Sequence, residues 1–162
     1  MICKLFNLFN RMIQPKFNFY AEDDLIPSRS TIGSAGFDLR ADLPVDEVIH
    51  LQPGESFVFD TGVTIEPLRN GWMGLVYSRS GLSTKKQIML LNGVAVIDPD
   101  YRGTIHAPLI NMGSDIVSIR RGDRIAQLCF CPFAAPILTR VHPSRMSKTK
   151  RGAGGFGHTG VA

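Results

Sequence analysis

The sequence predicts an all-β fold, a distorted jelly roll or β-sandwich of β-clip-like form, with one short helix and a flexible glycine-rich C-terminal arm. Three observations predict this class. Turn-forming stretches recur about every ten residues, and the segments between them are short and rich in β-branched and aromatic residues. No long segment places apolar residues at the period of a helix. Many short, regularly spaced strands are typical of sandwiches and jelly rolls.

Five turns separate the predicted strands, and each contains glycine or proline: "QPGE" at 52–55, "RNGW" at 69–72, "DPDYRG" at 98–103, "NMGSD" at 111–115 and "RRGD" at 120–123. The predicted strands are "SFVFDTGVTI", "WMGLVYS", "IMLLNGVAVI", "TIHAPLI", "DIVSI" and "RIAQLCF". The best helix candidate is a short segment that follows Ser78, in "SRSGLSTKKQ".

Two of these strands, "IMLLNGVAVI" and "RIAQLCF", are apolar on both faces. A sheet with one wet face alternates apolar and polar residues, so such strands must be covered on both sides. A chain of 162 residues is a single domain with little interior to provide that cover. A subunit interface is therefore predicted.

Composition narrows the classes of partner. The net charge is +4, and much of the excess lies in residues 140–152. This asymmetry favours an anionic ligand or a solvated basic tail, and we expect no nucleic-acid partner because the charge does not spread over a whole face. No apolar run approaches the ~18 residues of a membrane span, so no membrane partner is expected. Cys129 and Cys131 lie two apart on one strand and are expected to be buried and reduced, which indicates a reducing compartment, the cytoplasm or nucleus.

Residues 1–20 are predicted to be an N-terminal extension. Lys4, Arg11 and Lys16 occur before the first acidic residue, Glu22, and the apolar residues fall roughly at helical spacing. The segment could be a transit-like sequence for mitochondrial targeting or an interfacial segment. The alternative, which we favour, is a non-conserved extension or a chain whose true start is Met12.

Five short motifs carry polar residues on this framework: "SAGFDLRA" at 34–41, "SRSGLS" at 78–83, "NGVAVIDPDYRG" at 92–103, "RGDRIAQ" at 121–127 and "RGAGGFGHTG" at 151–160. The last is neither a dinucleotide fingerprint nor a Walker A loop, because it ends the chain and lacks the Lys-Ser/Thr pair. By composition it is a flexible tail. Its arginine, backbone N–H groups and threonine would also suit a polyphosphate, and Phe156 offers a flat face for a base.

Three of the other motifs allow a purely structural interpretation beside a ligand-binding one. Arg79 and Ser80 at the start of the short helix could bind an anion, or Ser78 or Ser80 could simply cap the helix. Asp38 could be a solvated carboxylate at a strand opening. Gln127 is polar on an apolar strand and requires a partner, either backbone or ligand.

Together, in this order and spacing, the five motifs resemble those of the deoxyuridine triphosphate nucleotidohydrolase (dUTPase) family of the trimeric type. The resemblance runs from about residue 25 to 160. It implies a jelly-roll domain at 21–139 and a basic linker and arm at 140–162 that closes over a neighbouring subunit's active site. It also implies a homotrimer that binds dUTP at subunit interfaces, uses Mg²⁺, and hydrolyses dUTP to dUMP and pyrophosphate. Such an enzyme keeps uracil out of DNA and supplies dUMP for thymidylate synthesis.

The resemblance also assigns roles to residues. Asp98 would orient and deprotonate the water that attacks the α-phosphorus. Tyr101 would pack against the deoxyribose and exclude a 2′-hydroxyl. Asp38 would hold Mg²⁺ through water. The catalytic set is Asp98, Ser80 and Gln127.

The implied substrate-binding residues fall in three groups. The phosphate group is Arg79, Ser80, Gly81 and Arg151, with Gly157, His158 and Thr159 of the last motif. Phe156 would stack on the uracil. Backbone groups of the third-motif hairpin would read the base, at Asn92, Val96, Ile97 and His106. If the two arms of that hairpin pair symmetrically about Pro99, Asn92 faces His106.

Two departures from the family pattern stand out. Ala95 replaces a common glycine beside the base, and His158 replaces the commoner serine. One alternative function is a dCTP deaminase, which shares the fold but lacks the tyrosine-bearing third motif and the glycine-rich arm. The other is a catalytically silent dUTPase-like interaction protein, for which a broken motif is expected.

Overall fold

The computed structural model describes residues 15–155, which form eleven short antiparallel strands and one helix, as the all-β prediction requires. The strands are β1 (Phe17–Tyr20), β2 (Phe37–Arg40), β3 (Val48–Leu51), β4 (Ser56–Asp60), β5 (Thr64–Pro67), β6 (Trp72–Ser78), β7 (Ile88–Leu90), β8 (Val94–Ile97), β9 (His106–Asn111), β10 (Val117–Arg120) and β11 (Arg124–Pro132). The helix α1 spans Ser80–Lys86, and 3₁₀ turns occur at Asp23–Leu25 and Pro143–Arg145.

Two predicted strands are each divided by a glycine. The segment "SFVFDTGVTI" becomes β4 and β5, with Gly62 between them at φ +64. The segment "IMLLNGVAVI" becomes β7 and β8, with Gly93 between them at φ +71. Both glycines adopt the left-handed conformation that other residues rarely take, so the chain turns there and changes its strand partner.

The strands form two main sheets. One has the order β2-β11-β6-β8 and the other β4-β9-β7, and the pairs β1-β5 and β3-β10 add to them. Side chains from both main sheets meet in a single buried core. The core includes Leu39, Val76, Ala126 and Leu128 from the first sheet and Phe59, Ile88, Ala107 and Leu109 from the second.

Each main sheet also has an apolar outer face that residues 15–155 leave uncovered. On the four-stranded sheet, Val76 points into the core while Leu75 and Tyr77 point outward, and their cross-strand partners Val96 and Val94 are 56% and 42% exposed. On the outer face of the three-stranded sheet, Val58 and Met89 are exposed, and so is Leu91, which directly follows β7. These residues include those of the strand that the sequence marked as apolar on both faces.

The strand β1 lies inside the segment 1–20 and pairs with β5. Its Phe17 ring lies 4.0 Å from the ring of Phe130, centroid to centroid. Beside them is an apolar groove of about 360 Å³ lined by aromatic, proline and aliphatic side chains. Within residues 15–155, no helix has the length and apolar character needed to cross a membrane.

Cys129 and Cys131 are free thiols that share one face of β11, as predicted, but they are half-buried rather than fully buried. Burial, and to a smaller extent the neighbouring Cys131, raises the pKa of the Cys129 thiol. Beyond β11, residues 134–155 are exposed almost throughout and contain a single 3₁₀ turn.

Candidate active site

A polar cleft of about 360 Å³ lies at one end of the four-stranded sheet. Its lining brings together residues of the first, second and fourth motifs: Ser34, Ala35, Gly36, Asp38, Arg79, Ser80, Gly81 and Gln127, with Ser30 and Cys129. The sheet explains this convergence. Gln127 on the central strand β11 pairs with Asp38 on one side and with Tyr77 on the other, and Arg79 follows directly after β6.

Asp38 is the buried centre of the cleft, with 8% of its surface exposed. Its Oδ1 accepts a hydrogen bond from Arg79 Nε at 2.7 Å, and its Oδ2 accepts one from Arg124 Nη1 at 3.2 Å. Ser30 Oγ donates to the same Oδ2 at 3.3 Å. Asp38 is therefore an ion-paired carboxylate and not the solvated one that was the alternative interpretation.

Arg124 also belongs to this cluster, although its local sequence does not predict a role for it. The pairing of β11 with β2 shifts register between Arg124 and Ala126. Such a bulge re-aims the side chain next to it, and here it brings Arg124 onto Asp38. Two guanidinium groups on one carboxylate leave the cleft with a net positive charge, which suits an anion.

The side-chain amide of Gln127, a polar group on an apolar strand, has a backbone hydrogen-bond partner. Its Nε2 donates to Ser78 O at 2.9 Å. Its side chain occupies the space above Gly36, where an added Cβ would lie 2.5 Å from Gln127 Oε1. The glycine of the first motif is thus necessary for the glutamine of the fourth to reach the cleft.

The helix α1 begins at Ser80 without a side-chain cap, so the interpretation of Ser78 or Ser80 as a cap is wrong. Ser78 Oγ instead accepts a hydrogen bond from Leu90 N at 2.9 Å, which ties β6 to β7. Ser80 and Gly81 both line the cleft.

The third motif forms a separate, exposed turn at the end of β8. Tyr101 N donates to Asp98 O at 3.1 Å, and Arg102 Nη1 donates to Pro99 O at 2.7 Å. The turn is closed by these bonds, and no bond of the Asp98 carboxylate is found among the described residues. That carboxylate lies at the surface, so the acid beside the proline is not needed to close the turn.

Tyr101 is held against its own turn. Its hydroxyl donates to Thr104 O at 2.8 Å. A Cβ added to Gly103 would lie 2.6 Å from Tyr101 Cζ, so only glycine lets the ring fold over the chain there. The ring remains partly exposed.

The predicted pairing of Asn92 with His106 is wrong. On the side of the third-motif hairpin, β9 pairs with β7, with Leu90 opposite Leu109, and Leu91 N still donates to Pro108 O at 2.8 Å. The observed pairing is shifted by one residue from the pairing that symmetry about Pro99 would give. His106 is instead the cross-strand partner of Asp60 on β4. After Gly93 the chain leaves β9 and pairs with β6 instead. Asn92 lies in the exposed turn between the two pairings.

The remaining predicted site residues are dispersed. Ile97 points into the core, so only its backbone is available to a ligand, while Val96 points outward. Arg151 is exposed, and its Nε donates to Gly154 O at 2.8 Å within the arm. Phe156, Gly157, His158 and Thr159 lie outside the described residues.

The cleft and the third-motif turn are at opposite ends of the four-stranded sheet. Ile97 pairs with Gly74, so Asp98 lies beside Met73, six residues before Arg79 along β6. At about 3.3 Å per residue, roughly 20 Å separates the two regions. One chain alone therefore does not bring Asp98 to the cleft.

Fold and site define a class: an all-β protein with a cationic cleft at one end of a sheet and a second set of polar residues at the other end. The dUTPase family model matches residues 23–160. The deoxyuridine 5'-triphosphate nucleotidohydrolase of Caulobacter vibrioides is 43% identical over 136 residues, which cover 84% of this chain and 86% of that protein. The chain belongs to the dUTPase family.

Solved structures agree with this assignment and with the jelly-roll fold. A mutant dUTPase of Staphylococcus bacteriophage 80alpha with dUpNHpp has a TM-score of 0.75 and 25% identity, and the match covers 90% of this chain and 99% of that one. The dUTPase of Streptococcus mutans has a TM-score of 0.65 and 31% identity, and covers 75% and 98%.

Proposed function

We propose that the protein is a dUTP diphosphatase that hydrolyses dUTP to dUMP and pyrophosphate. The observation that carries this proposal is the convergence of three distant motifs on one cationic cleft, in a chain of the dUTPase family. By removing dUTP, the reaction would keep uracil out of DNA, and its product dUMP would be available for thymidylate synthesis.

The cleft would bind the triphosphate. Arg79 is anchored by Asp38, so its guanidinium is already oriented before a ligand arrives and loses little freedom on binding. Ser80 would donate its hydroxyl to a phosphate oxygen, and Gly81 would let the phosphates approach the backbone closely. The amide of Gln127, fixed by Ser78 O, would face the same phosphates.

The cleft fits Mg²⁺ only as an ion that arrives on the triphosphate. Within residues 15–155, no group of three His, Cys, Asp or Glu side chains is arranged to hold a metal. Asp38 already accepts bonds from Arg79, Arg124 and Ser30, so it would hold the ion through water and not directly. Mg²⁺ prefers phosphate oxygens and retains several waters, and on a triphosphate it neutralises charge at the leaving group.

Asp98 would be the general base. Its exposed carboxylate would take a proton from a water whose oxygen attacks the α-phosphorus, while the bond from that phosphorus to the bridging oxygen breaks and pyrophosphate leaves. Tyr101, three residues on, would pack on the deoxyribose. The arm would add Arg151 and Phe156, for which the resemblance is the support.

We infer a homotrimer in which neighbouring chains complete each site. The two apolar outer faces differ from each other, as a ring of identical subunits with head-to-tail contacts requires. The roughly 20 Å between Asp98 and Arg79 is bridged if Asp98 of one subunit meets the cleft of the next. The cleft borders the outer face of the four-stranded sheet, because Gln127 and Tyr77 are cross-strand partners.

Pyrophosphate release tests this function. The purified protein with Mg²⁺ should release pyrophosphate from dUTP much faster than from dCTP, dTTP or UTP, and it should release no ammonia from dCTP. Ammonia release would instead identify a deaminase. If a folded trimer releases no pyrophosphate from dUTP, the remaining alternative is a catalytically silent interaction protein.

A further inference from the structure

The segment Asp60–Val63 starts at the last residue of β4 and leads into β5, and it is hydrogen-bonded to the chain directly after the third motif. Thr61 N and Thr61 Oγ1 both donate to Ile105 O, at 3.1 and 2.7 Å. Ile105 N donates to Val63 O at 2.8 Å. Thr61 and Ile105 are fully buried, so this attachment is rigid. We call residues 60–63 the bracket.

Asp60 adds a side-chain contact to these backbone bonds. Its Oδ2 accepts from Thr104 Oγ1 at 3.0 Å, and its Oδ1 accepts from Gly62 N at 2.9 Å. His106 Nε2 lies 3.7 Å from Oδ2. Because the bond from Gly62 fixes the carboxylate, Asp60 fixes Thr104 in turn.

Thr104 connects the bracket to the Tyr101 ring. The Tyr101 hydroxyl donates to Thr104 O, and the ring lies over Gly103. The position of the ring thus depends on the orientation of the Thr104 peptide. Thr61 and Ile105 already hold the strand in place, so the Asp60 side chain sets the orientation of this peptide rather than the path of the strand.

We propose that Asp60 is a positioning residue for Tyr101, acting through Thr104, and that it sets the discrimination between deoxyribose and ribose nucleotides. The inference rests on the proposed function, in which Tyr101 excludes the 2′-hydroxyl. Asp60 lies outside the five motifs and does not line the cleft, and its side chain is hydrogen-bonded to Thr104, whose carbonyl accepts from Tyr101. Its other neighbour of the proposed site, His106, would contribute only backbone groups to the base.

The test compares kcat/KM for dUTP with kcat/KM for UTP in four variants. Asp60→Ala removes the acceptor, Thr104→Val removes the donor but keeps the carbonyl, and Asp60→Asn keeps an acceptor oxygen. Asp46→Ala, an exposed carboxylate on another loop, is the matched control. The ratio of dUTP to UTP should fall about tenfold in the first two variants, as expected for the loss of one oriented hydrogen bond, and stay near the parent value in the last two.

A double-mutant cycle decides whether the two residues act together. Asp60→Ala combined with Thr104→Val should lower the ratio no further than either change alone. Additive losses, or an unchanged ratio in both single variants, would overturn the inference. Thermal melting shows which variants fold, and if Asp60→Ala does not, Thr104→Val alone decides. A parent protein that hydrolyses dUTP while its variants keep full discrimination refutes only this inference; a parent that leaves dUTP intact refutes the proposed function as well.

Discussion

The cleft and the third-motif turn are built in opposite ways. In the cleft, Asp38 is buried and its carboxylate oxygens are bonded to Arg79 and Arg124. In the turn, Asp98 is exposed and its carboxylate has no described partner, while the Tyr101 hydroxyl donates to Thr104 O just after the turn. The first region is complete within one chain, and the second presents its side chains outward.

This difference suits the two regions to different tasks, phosphate binding in the cleft and proton transfer at the turn. A preorganised cationic cleft can bind phosphates before anything else assembles, because its groups are already oriented. A general base must instead reach a water at the reacting phosphorus, and Asp98 has that freedom. In the proposed trimer, assembly of neighbouring chains would bring the two regions together, and turnover would then depend on oligomerisation more strongly than phosphate binding does.

The largest effect is expected at the turn. Asp98→Asn should lower kcat by about 10²–10⁴-fold, because the amide cannot accept the proton from water. The affinity for dUTP and the trimer should persist, since the Asp98 carboxylate makes no bond among the described residues and its backbone bond to Tyr101 is kept in the variant. Stopped-flow pyrophosphate release, calorimetric nucleotide binding and light scattering measure these three quantities. Asp100→Asn, on the other side of Pro99, is the control, and parental turnover by Asp98→Asn would contradict the role.

Removal of residues 151–162 should have the next largest effect. The hydrogen bonds described for residues 151–155 remain within 149–154, so the fold does not depend on them. We expect turnover to fall by about 100-fold through loss of positioning, with an unchanged melting temperature. An unimpaired truncated protein would exclude the arm from the mechanism.

The sequence was sufficient to predict the all-β class, the helix after Ser78 and most of the cleft. Asp38, Arg79, Ser80, Gly81 and Gln127 were each predicted, and they line one pocket. Local signals suffice here because each residue stands at a fixed offset from the start or end of a strand or helix. The roles proposed for these five residues come from the resemblance to the dUTPase family.

Long-range register could not be predicted. The contact of Arg124 with Asp38 depends on a bulge in β11, and the bond between Thr104 and Asp60 joins residues 44 positions apart. The predicted pairing of Asn92 with His106 is wrong because, after Gly93, the chain leaves β9 and pairs with β6. A shift of one residue exchanges the two faces of a strand, so small errors in turn position change every contact.

A smaller effect should follow from Gly36→Ala. The added Cβ would lie 2.5 Å from Gln127 Oε1, so the glutamine must move away from the phosphates. We expect KM for dUTP to rise by about tenfold while kcat changes less, because binding and not the general base is disturbed. Gly33→Ala, where nothing lies within 4 Å of the new Cβ, is the matched control. A fall in kcat with unchanged KM would mean that the cleft and the turn are not separable.

The smallest expected effect is on the melting temperature, and it depends on pH. It involves the ion pairs of Arg121 at the start of β11, the strand that carries Gln127. Arg121, three residues before Arg124, bonds to Glu22, Asp24 and Asp42 and so anchors the start of β11. The hydrogen bond from Arg121 lowers the pKa of Asp24 below its ordinary value of 3.8. A lowered pKa in the folded state gives stability that is present above the unfolded value and is lost as the pH falls through the folded one.

Asp24→Asn should therefore lower the melting temperature slightly at pH 7, and the difference from the parent should shrink below about pH 4. The effect is small because Asp24 is largely exposed to solvent. Melting curves from pH 7 to pH 3 measure it, with Asp46→Asn as the unpaired control. A difference that grows on acidification would have the wrong sign for an ion pair, whereas no difference at any pH would mean that Arg121 holds β11 through Asp42 and Leu43 O instead.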